Sequence, residues 1–381
     1  MRKHLLMIAI ACALCCGQAT AQKRLRDYGV VVGVMKTGAN NAITDVKGVK
    51  VGQVTLTSDV MQTGVTAIVP HQGNLFKKKC PAAVYVGNGF GKLAGSTQVQ
   101  ELGNIETPII LTNTLNVAEG IAGAVEYTMK QNPNVRSVNA LVGETNDGGL
   151  NDIRSRFVTR EHVIEAIENA KDGAVEEGCV GAGNGTVAFG YKAGIGTASR
   201  VLPASMGGYT VGVLVQANFG GVLQIAGVPV GQLLGKYTYR DKILQDVDGS
   251  CMIVVVTDAP VDARNLERMA KRAIMGLAQT GGIASNGSGD YAIAVSVAEE
   301  NLIDESTKNY TPTLLHNDDM SGLFMATIEA TSEAIWNSLF AAEDVTSNGR
   351  TVKAIDKQKA IEYIKKAQSA VNLQPTYPLG E

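Results

Sequence analysis

In "DGSCMIVVVTDAP" (248–260) a serine hydroxyl heads an unbroken apolar run. A turn explains Gly249, but it does not explain a buried strand that begins at Ser250. A seryl hydroxyl is a poor nucleophile until a base takes its proton. The usual base is scarce here. Beyond the leader the histidines are His71, His162 and His316, with no HExxH motif and no metal-ligand spacing. No GxSxG elbow occurs either. A free α-amino group, with an ordinary pKa of roughly 7.7–8.0, suits proton abstraction near neutral pH. A Ser250 freed by cutting the Gly249–Ser250 bond would carry that base itself. Gly249 puts no Cβ in the path of Ser250 Oγ toward its carbonyl. The pattern fits an N-terminal nucleophile with Gly249 and Ser250 as the autocleavage site, and it implies no metal and no cofactor. Read alone, Gly-Ser before a strand is also an ordinary turn.

Other motifs carry less chemistry. "GAGNGTVAFG" (181–190) breaks the GxGxxG pattern at Thr186, and "GNGFGKL" (87–93) lacks the Walker spacing and a hydroxyl after Lys92. Both read as glycine turns. His162 reads as a solvated first-turn residue. His316-Asn317-Asp318-Asp319, which could in principle ligate a metal, reads as supplying an Asp or Asn cap for the next helix.

The elements that must hold such a site are strands covered on both faces. "GVKVGQVTL" (48–56), "TGVTAIVP" (63–70), "AAVYVGNG" (82–89) and "NALVGE" (139–144) read as strands bounded by Gly and Pro. "YTVGVLVQANFG" (209–220), "CMIVVVTDA" (251–259) and "DYAIAVSVA" (290–298) have too little polar alternation to be half exposed. Helices are predicted over 116–131 and 159–171, the second capped by Thr159. After Pro260, Leu266, Met269, Ala270, Ala273, Ile274 and Leu277 form one stripe, and 321–343 reads as a long apolar-striped helix. Buried strands and one-sided helices imply sheets sandwiched by helices.

Composition sets the class. The 381 residues are 45% hydrophobic and 18% charged, with 43 glycines, which suits a large turn-rich domain. No linker or repeat divides the chain, so 22–381 reads as a single catalytic domain. Residues 1–21 read as a signal peptide: Arg2 and Lys3, an apolar stretch too short to span, then Ala19-Thr20-Ala21. Export to the periplasm or medium is the expectation. The leader removes Arg2 and Lys3, so the mature chain is more acidic than the whole chain's net −2, which argues against nucleic acid or anionic membrane as partner. Of six cysteines, Cys80, Cys179 and Cys251 outlast the leader; Cys251 reads as a small buried hydrophobe, and Cys80 with Cys179 is the one conceivable bridge.

The chain resembles the DmpA-type aminopeptidases, which include D-aminopeptidase/esterases and β-peptidyl aminopeptidases. The resemblance spans nearly the whole mature chain. It rests on "NAITDVKGVKVG" (41–52), "TGVTAIVP" (63–70), "ETNDGGLNDI" (144–153), "YKAGIGTASR" (191–200), "VGVLVQANFG" (211–220), "DGSCMIVVVTDAP" (248–260), "NGSGDYAIA" (286–294) and "EATSEAIWNSL" (329–339), in that order. It implies an α+β fold, an αββα sandwich of the N-terminal-nucleophile type. It also implies one self-cleavage, into 22–249 and 250–381, and a homo-oligomer of αβ units. Carried over by motif, Ser250 is the nucleophile and Asn218 the oxyanion donor. Ser288 and Asp290 are the pair that orients the Ser250 amine, and Glu144 captures the substrate ammonium. Some relatives have Glu at Asp290, and some carry an aromatic residue where Asn146 stands on the acyl side.

The resemblance implies an exported, self-processing serine aminopeptidase acting on short peptides, amides or esters, including those with β- or D-residues. An acyltransferase like the ornithine acetyltransferases shares the fold, but it generally uses Thr and stays in the cytosol. A non-enzymatic periplasmic binding protein would have no need of an intact Gly249-Ser250.

Overall fold

The computed structural model describes residues 23–238, 240 and 249–370. The expected signal peptide and the acidic stretch before Gly249 lie outside the described residues. The principal strands are β1 (Lys50–Thr57), β2 (Gln62–Val69), β3 (Lys78–Gly89), β4 (Ile109–Asn113), β5 (Leu141–Thr145), β6 (Ile195–Val201), β7 (Thr210–Asn218), β8 (Gly249–Thr257) and β9 (Ser288–Ser296). One sheet runs β1-β2-β4-β5 and ends on Leu93–Ala94. The other runs β6-β7-β8-β9-β3 and ends on Ile303–Asp304, with Asn104–Ile105 also pairing with β3. The β4–β5 and β8–β9 pairs are parallel.

Three apolar layers follow from the alternation of these strands. Met252, Val254 and Val256 face Ile109, Leu111 and Leu141 between the sheets. Cys251, Ile253 and Val255 turn the other way, onto helices α3 (Ala263–Gln279) and α4 (Ser321–Ala341). Helices α1 (Val117–Gln131) and α2 (Arg160–Glu168) cover the outer face of the first sheet through Ala124, Val163 and Ile167. The result is the αββα sandwich. All nine residues of β8 are buried. Each buried Val there stabilises by about 1.5–3 kcal/mol, which fixes the strand that begins at Gly249-Ser250.

Several local readings change. Helix α4 has no simple stripe: from Ala330 to Ala341 it is buried all round. It lies on β6, β7 and α3, and its Glu333 meets Arg200 at 2.6 Å and also Arg26 of the N-terminal segment. Neither Asp nor Asn caps it; Met320 sits at its N-cap, and Asn317 Oδ1 instead accepts from Arg264 and Arg268. His162 is not simply solvated, because its Nδ1 accepts from the Thr159 N–H at 3.1 Å. Ile274 is only half-buried. Cys80 and Cys179 are both free thiols, so no bridge joins them.

Candidate active site

The first two residues of β8 lie between two strand ends. On one side antiparallel β7 sets Asn218 directly opposite Ser250. On the other, parallel β9 sets Ser288 opposite Gly249, Gly289 opposite Ser250 and Asp290 opposite Cys251. Five of the sequence candidates therefore meet at one edge of the large sheet. Ser250 Oγ lies 2.6 Å from the Gly249 carbonyl oxygen and accepts from the Gly289 N–H at 3.3 Å. The hydroxyl thus rests against the very peptide group that self-cleavage would attack. Gly249 has a packing reason as well. A Cβ there would fall 2.8 Å from Phe219 Cα and 3.1 Å from the Asn218 carbonyl oxygen.

Asn218 is buried, and its Oδ1 accepts from the Val187 N–H at 3.0 Å. That bond decides which way the amide points. With the oxygen engaged, the NH2 end is left to donate, as an oxyanion contact requires. The donor comes from "GAGNGTVAFG" (181–190), so a loop that reads as plain glycine turns orients a site residue.

Ser288 and Asp290 are fully buried beside the Gly249–Ser250 bond. Alternation places them on the face of Ala292 and Ala294, which also carries Cys251. Ser288 Oγ and both Asp290 carboxyl oxygens have no hydrogen bond of normal geometry among the described residues. Asp290 is pushed up to about 6, by burial first, with the Ser288 hydroxyl and the Cys251 backbone acting the other way. Burial, with Asp290 adding to it, also holds the Cys251 thiol well above its ordinary range, so Cys251 stays an un-ionised core residue.

Glu144 ends in a different sheet, near the C-terminus of β5, and is 2% exposed. The Lys92 N–H donates to its Oε1 at 2.9 Å, and the Thr114 hydroxyl donates to its Oε2. Lys92 Nζ stands 3.8 Å from Oε1. One carbon added at Gly91 would touch both Glu144 Oε1 and Gly289 Cα at 3.2 Å. Gly91 therefore lies between Glu144 and the strand beside Ser250, with the Tyr291 ring against it at 3.1 Å from the same added carbon. Here too a dismissed loop, "GNGFGKL" (87–93), does the holding.

Asn146 is exposed, with Oδ1 accepting from the Gly148 N–H at 2.9 Å. It lines a cavity of about 480 Å3 whose wall includes Asn218 and Phe219. Sequence reasoning missed Asp147 next door. It is 1% exposed; Oδ1 accepts from Asn151 at 3.0 Å, and Oδ2 has no partner among the described residues. Burial pushes its carboxyl up to about 7, with Thr63 and Asn151 opposing and Glu144 adding to the rise. No residue-type pattern marks it, because its environment comes from strands distant in sequence. Among the described residues no group of three His, Cys, Asp or Glu could hold a metal ion.

Residues 41–352 match the model of peptidase family S58, and the chain belongs to that family. It is 39% identical over 385 residues to a β-peptidyl aminopeptidase of Sphingosinicella microcystinivorans, covering 94% of this chain and 96% of that one. Among solved structures, a Pyrococcus horikoshii protein superposes with a TM-score of 0.84 at 45% identity, over 91% of this chain and 99% of that one. The L-aminopeptidase D-Ala-esterase/amidase of Ochrobactrum anthropi, described as a prototype serine aminopeptidase with a variant of the Ntn-hydrolase fold, gives 0.82 at 33% identity, over 92% and 99%. The fold is of that Ntn-hydrolase kind, as the resemblance implied. The protein is a hydrolase of the serine aminopeptidase type.

Proposed function

We propose that the protein is an exported, self-processing aminopeptidase that releases N-terminal β-aminoacyl residues from short peptides and amides. In this reading it matures into the fragments 22–249 and 250–381, which remain together as an αβ unit of a homo-oligomer.

The observation that carries the reading is the set of orphaned polar atoms beside Gly249–Ser250. Ser288 Oγ and the two Asp290 oxygens are buried with no hydrogen bond of normal geometry among the described residues. An unpaired buried polar group costs about 1–3 kcal/mol. Cutting the bond would place an α-ammonium with three donors at the head of β8, between β7 and β9. The site is thus short of the very group that cleavage would create.

The mechanism follows from the chain's own residues. Ser250 Oγ adds to the Gly249 carbonyl carbon, an ester replaces the amide, and water releases residue 249 as a carboxylate. In turnover the Ser250 amine takes the Oγ proton as Oγ attacks the substrate carbonyl and gives it to the leaving amine. Water, deprotonated by the same amine, then cleaves the ester, releasing the N-terminal residue as a carboxylate and restoring the Oγ proton. Asn218 Nδ2 donates to the developing oxyanion, and Glu144 holds the substrate's ammonium. The β preference rests on the named activity of the Sphingosinicella relative.

A panel of L-alanyl, D-alanyl and β-alanyl p-nitroanilides tests the substrate assignment. Highest kcat/KM on the β-alanyl compound is expected; a clear L-alanyl preference would overturn the β assignment.

A further inference from the structure

The cavity beside Asn218 holds two cations that the chemistry above does not use. Lys236 and Arg350 both line it, with Asn146, Phe189, Thr238 and others. Among its described lining residues there is no carboxylate. Neither cation forms an ion pair among the described residues.

Both are positioned rather than loose. Arg350 follows a two-residue hairpin turn in which Ser347 pairs with Arg350, and Asn348 and Gly349 have φ of 50° and 71°. Those positive angles are the signature of a type I′ turn, which suits Asn-Gly. The hairpin is tied down at Asp59, whose carbonyl accepts from the Asn348 N–H at 2.7 Å and the Ser347 hydroxyl at 3.0 Å. A Cβ on Gly149 would meet Arg350 Nη1 at 3.2 Å, so the guanidinium rests over the loop that follows Glu144. Lys236 Nζ lies 4.4 Å from the centroid of the Tyr191 ring, a cation–π contact that positions the ammonium.

The two charges also feel each other. Lys236 is held below its ordinary pKa, by burial first and by the Arg350 charge second. Two cations sharing one cavity repel, and an anion between them relieves that cost. A guanidinium fork and an ammonium together match a carboxylate.

We propose that Lys236 and Arg350 form a subsite for a carboxylate of the substrate, next to the oxyanion donor Asn218. The inference rests on the aminopeptidase reading and narrows its substrates to peptides carrying an anionic group. That carboxylate has two sources, the free C-terminus of a dipeptide's leaving residue or an acidic side chain on the released residue. Lys236 and Arg350 lie on opposite sides of Ser250 in sequence, so both fragments contribute to the subsite.

The test compares kcat/KM on β-alanyl-L-leucine with β-alanyl-L-leucinamide, and on glutamyl with glutaminyl p-nitroanilide. The wild type should favour the anionic member of at least one pair by about tenfold or more. A preference in the dipeptide pair assigns the C-terminal carboxylate, and one in the anilide pair assigns the side chain. In Lys236→Met/Arg350→Met the preference should collapse toward one; Lys236→Arg should retain it. The wild-type ratios need no variant, so a variant that fails to fold does not shelter the proposal. Equal rates within both pairs would overturn the carboxylate subsite while leaving the aminopeptidase reading standing, and so would a preference that survives in the double variant. No turnover of any of the four compounds would overturn the aminopeptidase reading and the subsite with it.

Discussion

Asn218 faces Ser250 across an antiparallel ladder, and the Val187 N–H fixes which end of its amide is left to donate. The side chain is therefore set before any substrate arrives. Asn218→Ala should lower kcat by roughly 10²–10³, the usual cost of one oxyanion donor. Asn218→Asp should be at least as damaging, since it swaps the donor for an anion. Steady-state kinetics on β-alanyl p-nitroanilide measures both; near wild-type kcat in Asn218→Ala would remove the residue from the site.

The Gly249–Ser250 bond should be cut in active enzyme. A denaturing gel should show a fragment of about 14 kDa for 250–381, its share of the 40.0 kDa chain. N-terminal sequencing of that band should begin Ser-Cys-Met-Ile, and Ser250→Ala should remain a single inactive chain. Full activity in an uncut chain would end the N-terminal-nucleophile reading.

Glu144 should select substrates with a free amino end. Lys92 Nζ already stands 3.8 Å from it, so an incoming ammonium competes with an exposed lysine. Glu144→Gln should keep self-cleavage and lose kcat/KM worth about 1.5–3 kcal/mol, as for a charged hydrogen bond. N-acetylation of the substrate should nearly abolish turnover by the wild type. Lys92→Met should lower KM. Equal rates on free and acetylated substrates would show that Glu144 anchors no amine.

Asp147 makes a stability prediction with a definite sign. Its carboxyl is raised from the ordinary 3.8 to about 7 in the folded chain, chiefly by burial. The protonated form is the one the fold favours. Its contribution is therefore complete below about pH 4 and is lost as pH rises through 7, up to roughly 4 kcal/mol. Asp147→Asn should raise Tm at pH 8 relative to wild type and flatten the fall of Tm between pH 5 and 8. A wild-type Tm curve unchanged in shape by the substitution would contradict the assignment.

Much of the fold could be read from periodicity. The buried runs at 209–220, 251–259 and 290–298 are strands β7, β8 and β9 within a few residues. The stripe after Pro260 is helix α3, and Asp262 caps it through the Asn265 N–H at 2.9 Å. The candidate residues could be located, but not what holds them. Val187 and Lys92 act through backbone N–H groups, and a backbone donor leaves no mark in residue type. Helix α4 misled for a related reason. An apolar stripe also implies a polar side, yet its Thr327, Glu333 and Asn337 are buried because Arg26, Arg200 and neighbouring carbonyls supply partners.

The strand order of the large sheet reads β6-β7-β8-β9-β3. A cut before Ser250 would assign β6, β7 and β3 to one piece and β8 and β9 to the other. The smaller piece would then be gripped on both flanks, by a ladder from Asn218 to Val211 on one side and by β3 on the other. Separating the pieces would mean tearing two hydrogen-bonded seams through the middle of the core. A nicked molecule would thus elute, sediment and melt as one body, and the break would become visible only once the protein was denatured.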